Sequence, residues 1–196
     1  MKKILISKPN IDHNDLTIVN KATIDGWGNN YLFYNNKFEK NFSSYVGGKY
    51  CIATSSCTGA THIVLKSLNI KKNDEIILPN ITWFSCASVI NYMGAKPVFV
   101  DIDPSTLNLD PEKIESAITP NTTAIMPVHV YGNPCDVDAI ETIAKKNSNF
   151  EIRKIGVIKT RTFSILDPQP FDHETYAYTP LHCVVQAARL SFFSSR

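Results

Sequence analysis

From residue 50 to residue 147 the chain alternates short apolar runs with stretches whose apolar positions recur every three or four residues. The runs YCIATS (50–55), DEIILP (74–79), KPVFVDID (96–103) and TAIMPVHVYG (123–132) read as strands. Between and after them, GATHIVLKSLNI (59–70), WFSCASVINYMG (83–94), DPEKIESAI (110–118) and DVDAIETIAKKN (136–147) read as helices. The boundaries have physical causes. Pro79 stops the second strand and Gly94 ends the second helix. Asp110 followed by Pro111 is an N-cap followed by a residue whose φ is already helical. Strand alternating with helix implies an α/β fold: a mainly parallel sheet with right-handed crossovers and helices on both faces. Residues 1–45 have another texture. The stretch DGWGNNYLFYNNKFEKNFSSYVGG is rich in Asn and aromatics and reads as a loop or short helix feeding into the sheet. Trp27, Tyr31, Phe33 and Tyr34 either cover the edge of a core, the commoner use, or form a partner surface.

Composition narrows the class only a little. The 196 residues carry a net charge of +2, so neither nucleic acid nor an acidic membrane surface is implied as a partner. The start, MKKILISKPN, has too short an apolar run for a secretory segment, and no run approaches the ~18 residues of a membrane span. The five cysteines, Cys51, Cys57, Cys86, Cys135 and Cys183, form no CxxC pair. They read as buried thiols of a cytoplasmic protein. No His/Cys/Asp cluster has ligand spacing, so no metal site is expected.

The join CIATSSCTGATHIVLKSL carries the first chemistry. In a parallel α/β sheet, ligands sit beyond the carboxyl ends of strands. Cys57, Thr58 and Gly59 lie at such an end and open a helix, where unpaired N–H groups and the helix dipole favour an anion. The competing reading is that Ser and Thr merely cap the helix. There is no GxGxxG and no Walker pattern. Thr82 and Trp83 occupy the corresponding place after the second strand. A Trp there can stack on a planar ring, worth on the order of 1 kcal/mol, or simply pack.

These segments, in this order over residues 15–148, resemble the DegT/DnrJ/EryC1/StrS family of pyridoxal-phosphate (PLP) aminotransferases acting on nucleotide-linked keto-sugars. The resemblance implies the large domain of a fold type I aminotransferase, followed in the family by a small C-terminal domain. It also implies PLP as cofactor, an amino donor such as glutamate, a nucleotide-linked keto-sugar as acceptor, and a homodimer. By resemblance, Thr58 and Cys57 sit in the turn that holds the PLP phosphate, where the family usually has Gly at position 57. Trp83 sits where an aromatic residue stacks on the pyridine ring. His129, in PVHVYG, matches a motif near the cofactor, as a structural or a catalytic histidine. Asp101 and Asp103 match the family too but read as loop and cap residues.

The likeness changes after residue 148. The family's acidic motif, whose Asp pairs with the pyridinium nitrogen, has no clear counterpart; Asp167 in SILDPQP is the candidate. The terminal LSFFSSR resembles the segment in which a Ser contacts the phosphate and a Lys forms the Schiff base. Ser191 would be the phosphate serine, and Arg196 stands at the lysine's place. A guanidinium stays protonated and cannot do a lysine's work, and no lysine follows Lys159. The expectation is therefore three segments: an aromatic and Asn-rich 1–45, a partial PLP-binding α/β domain over 46–148, and a divergent tail over 149–196. The small domain is expected to be missing. No catalytic residue is assigned, and the chain is expected to be a truncated, inactive product. The alternative is a non-catalytic PLP- or nucleotide-sugar-binding fragment with a structural or dimerisation role.

Overall fold

The computed structural model describes residues 10–46, 50–147, 156–159 and 189–191; for residue 46 and the last two stretches, only the backbone. Two compact units divide the chain after Ala53.

In the first unit, the residues expected to be a loop or short helix are two full helices, α1 (His13–Asp25) and α2 (Phe33–Val46). The signal for α1 lies in its cap. Asp12 accepts from the N–H groups of Asn14 and Asp15, and the Asp15 carboxylate accepts from the Asp12 N–H, a reciprocal box. The aromatic run also sorts differently from the expectation of core. Trp27 is 72% exposed, and Tyr31 and Phe33 are exposed as well, whereas Phe38 and Phe42 are buried and stack at 5.6 Å. The reason is helical spacing: positions 38 and 42 lie four apart on one face of α2, whereas 27 and 31 lie in the turn before it. The run 50–55, expected as a strand, is extended but pairs with no described strand. Its described anchor is the Ala53 N–H, which donates to Glu39 Oε1 at 2.7 Å. Tyr50 and Ile52 are exposed, so alternation of apolar residues is present without, among the described residues, a neighbouring strand.

The second unit is the α/β layer structure. Helix α3 (Cys57–Ser67) leads to β1 (Glu75–Pro79), α4 (Phe84–Tyr92) and β2 (Lys96–Val100). Then follow the short α5 (Pro111–Ile114), β3 (Thr122–Ile125), α6 (Val137–Lys146), β4 (Gly156–Lys159) and β5 (Arg189–Ser191). The sheet order is β2-β1-β3-β4-β5; the first four strands run parallel, and β5 is antiparallel to β4. Ile77 is level with Val98 on one side and Ile125 on the other. Period two decides the faces. Ile76, Leu78, Ala124 and Met126 pack with Leu65 of α3 and Val89 and Ile90 of α4. Ile77, Val100 and Ile125 pack with Ile114 of α5 and Ile140 and Ala144 of α6. Burying each such aliphatic side chain contributes roughly 1.5–3 kcal/mol, so β1, apolar on both faces, takes an interior place between β2 and β3. Gly94 takes φ +72 just past α4, and the Ala95 N–H returns to Ile90 O at 3.2 Å, the helix stop its place in sequence implied.

The topology makes one crevice. The connection after β1 goes to α4 on one face and the connection after β3 goes to α6 on the other. Because β1 and β3 are adjacent and parallel, their carboxyl-end loops part, which is where ligands bind in open α/β sheets.

Candidate functional site

Helices α3 and α4 begin at this edge. Ser56 caps α3, its Oγ accepting from the Gly59 N–H at 3.0 Å. A Cβ at residue 59 would come within 3.3 Å of that oxygen, so glycine lets the cap seat closely. The cap engages the third N–H of the helix; Cys57 and Thr58 are its first two residues. Both residues are half-buried. Trp83 stands at the N-cap of α4 with extended backbone, and its side chain makes no cap bond to the first turn. Its indole is 78% exposed. Neither helix carries an acidic residue in its first turn.

The two helix starts are neighbours. The Cys57 thiol is held above its ordinary range first by burial and then by the nearby Cys86, in the first turn of α4. Further along, the rings of His62 and Tyr92 lie 6.4 Å apart, so the helices run side by side in the same direction. The structure thus brings the segments of Thr58 and Trp83 to one edge. Cys86 is buried, its thiol likewise raised by burial, and Thr82 Oγ1 lies 3.5 Å from its sulfur. Both thiols are neutral at physiological pH and add no negative charge to the edge.

His129 and Tyr131 come to the same edge from β3. Met126 N donates to Ile77 O at 2.7 Å, and Val128 lies in the same apolar cluster as Cys86. His129 Nδ1 accepts from the Cys135 N–H at 2.9 Å, a structural bond. Cys135 donates its thiol to Val128 O at 3.1 Å; burial pushes its pKa up to about 11. Tyr131 takes φ 53 and ψ 22, in the left-handed region. Asp101 lies at the end of β2, where the Ile102 N–H, Asn80 and Lys113 hold its carboxyl below the usual range. Asp103 caps a turn through Ser105 and Thr106. Both are turn-forming and exposed or half-exposed. Asp167, Arg196 and Cys183 lie outside the described residues, as does the side chain of Ser191. Of the expected buried thiols, Cys86 and Cys135 are buried while Cys51 and Cys57 are half-buried. Among the described residues no group of His, Cys, Asp and Glu is arranged to hold a metal ion. No described helix is long and apolar enough to cross a membrane.

Sequence reasoning missed Asn108 and Asn133, which tie the loop after β3 to the turn before α5. Asn108 is a polar residue between two leucines, Leu107 and Leu109, and that interruption was the available signal.

A parallel α/β sheet with two acid-free helix starts and an exposed indole at its switch point defines a protein built to take a phosphorylated, planar ligand. The chain belongs to the DegT/DnrJ/EryC1/StrS aminotransferase family, whose profile matches residues 9–150. It is 39% identical over 148 residues to GDP-perosamine synthase of Caulobacter vibrioides, covering 76% of this chain and 40% of that protein. It is 46% identical over 114 residues to the spore coat polysaccharide biosynthesis protein SpsC of Bacillus subtilis, covering 58% of this chain and 29% of that protein. Among solved structures, it is similar to the PLP form of a Streptococcus pneumoniae protein assigned as a sugar aminotransferase, with TM-score 0.70 and 32% identity over 76% of this chain and 38% of that one. The chain therefore spans less than half the length of these relatives. The family is one of PLP-dependent sugar aminotransferases, and the architecture is the large-domain fold of its solved members.

Proposed function

We propose that this chain supplies the phosphate- and ring-binding edge of a PLP-dependent nucleotide-sugar aminotransferase. The observation that carries the reading is the pair of neighbouring helix starts, α3 and α4, that carry no acid, with Trp83 exposed between strand and helix. The residues fit the group: the N–H and hydroxyl of Thr58, in the first turn of α3, suit a phosphate dianion, and the flat indole suits a pyridine ring. When bound, PLP supplies an electron sink for the substrate carbon. The protein's part here is to hold the phosphate and cover one ring face; His129, with Nδ1 engaged, carries its proton on Nε2.

The acceptor is a nucleotide-linked keto-sugar, which the GDP-linked product named for one relative supports, and the amino donor is glutamate. The working unit is a homodimer. The nitrogen partner is Asp167 and the phosphate serine is Ser191. Because Arg196 stands at the lysine's place and cannot give up its proton, the chain by itself binds PLP without turning over. Absorbance titration of the full chain with PLP tests the reading. Saturable binding competed by inorganic phosphate is expected. Absence of any saturable change overturns it.

A further inference from the structure

We propose that Asn108 is a positioning residue: from a buried seat it fixes the tautomer of His129 and the left-handed backbone of Tyr131. Asn108 is 2% exposed. Its Nδ2 donates to Asn133 O at 3.1 Å and to Pro134 O at 3.0 Å, and its Oδ1 accepts from the Val130 N–H at 3.2 Å. All three partners lie in one loop, 22 to 26 residues further along the chain. Asn133 answers in the other direction, its Nδ2 donating to Thr106 O at 2.9 Å. The two loops are stapled from both sides.

The geometry of the second bond is the telling part. Pro134 O and the Cys135 N–H belong to the same planar peptide group. Asn108 holds that group by its oxygen; His129 Nδ1 holds it by its hydrogen, at 2.9 Å. A continuous chain runs from the Asn108 amide through one peptide to the imidazole, each bond polarising the next. With Nδ1 as acceptor, the neutral ring carries its proton on Nε2. Tyr131 needs the same support. A left-handed residue with a Cβ costs roughly 1–2 kcal/mol, and its phenol is 88% exposed, so no burial of the ring offsets this. The Val130 N–H, one residue before, is where Asn108 anchors that turn. An amide alone among side chains of this size offers two donors and an acceptor at once. An aspartate would set oxygen against two carbonyl oxygens.

What this does for a cofactor rests on the function proposed above; the clamp itself does not. The test is nitrogen-15 NMR of the histidine rings in the full chain at neutral pH, with amide exchange at Val130 and Cys135. The wild-type chain is expected to show His129 as one tautomer, protonated at Nε2. Asn108→Ala is expected to give a mixture of tautomers and exchange at both amides about tenfold faster. Asn108→Asp, of equal size, is expected to lose as much; a space-filling role predicts that it behaves as wild type. Wild-type His129 protonated at Nδ1 overturns the proposal, as does an unchanged tautomer in folded Asn108 variants. If neither Asn108 variant folds, Asn133→Ala decides, since it removes only the reciprocal bond: faster exchange at Val130 and Cys135 supports the staple, and wild-type rates overturn it. Failure to bind PLP sinks the function and leaves this standing; an unchanged tautomer does the reverse.

Discussion

The helices on the two faces of the sheet begin in opposite ways. On one face, α5 opens with Asp110, which accepts from the Glu112 N–H, and α6 opens with Asp136, which accepts from the Ala139 N–H. Each adds a further acid in its first turn, Glu112 and Asp138. In each, one first-turn N–H is engaged by the cap, and the carboxylates offset the positive end of the dipole. On the other face, α3 has only Ser56 and α4 has no side-chain cap, and neither has an acid. Stability alone favours the first arrangement. Two neighbouring helices at the switch point of the sheet forgo it, which leaves the positive end of each dipole without an acid in the first turn.

The sharpest way to break this comparison is to give α3 the start that α5 and α6 have. Thr58→Asp should reduce PLP affinity about 100-fold, because a like charge beside the phosphate costs several kcal/mol. The same change should leave the melting temperature equal or higher, since an acid in the first turn contributes about 0.3–1 kcal/mol. Parallel loss of binding and stability would show that the edge is structural. Trp83→Ala comes next. Removing a stacking face worth on the order of 1 kcal/mol should weaken PLP binding about fivefold. Thermal unfolding should not move, because the indole is largely exposed. Ser56→Ala and Asp136→Ala should each cost about 1 kcal/mol in denaturant melts as lost caps. Only the first should also alter PLP binding, because only α3 is at the candidate edge. The smallest effect concerns Cys135. Its folded-state pKa, pushed up to about 11, lies above the ordinary 9.0. Its contribution to stability is whole below pH 9 and falls as pH rises toward 11, where the unfolded chain gains a thiolate that the folded one resists. Cys135→Ala should be less stable at neutral pH and lose less between pH 9 and 11, as alkaline melts would show.

Much of the sheet was legible because β1 and β3 lie in short apolar runs, Ile76–Pro79 and Ala124–Val128, and the helices that follow repeat at helical spacing. Pro79, Gly94 and Asp110-Pro111 marked ends that the structure shares. Helices α1 and α2, read only as a loop or short helix, are richer in Asn and other polar residues than α3 and α4, and that content hid their length. The run at 50–55 was misread for the opposite reason. Its alternation suits a strand, but a strand also needs a neighbour to pair with. Of the candidate site, Thr58 and Trp83 were reachable because each follows a strand-like run and opens a helix. The Asn108 staple was not, because its partners are more than twenty residues away.

The order of residues by itself determined which segments are strands and helices through the core and which helix starts carry acid, since these depend on neighbours three or four positions apart. Only the tertiary structure decided that α3 and α4 start side by side and that one peptide is gripped by both Asn108 and His129. Those are meetings between distant parts of the chain, and they exist only once packing of the two sheet faces has fixed where each loop returns.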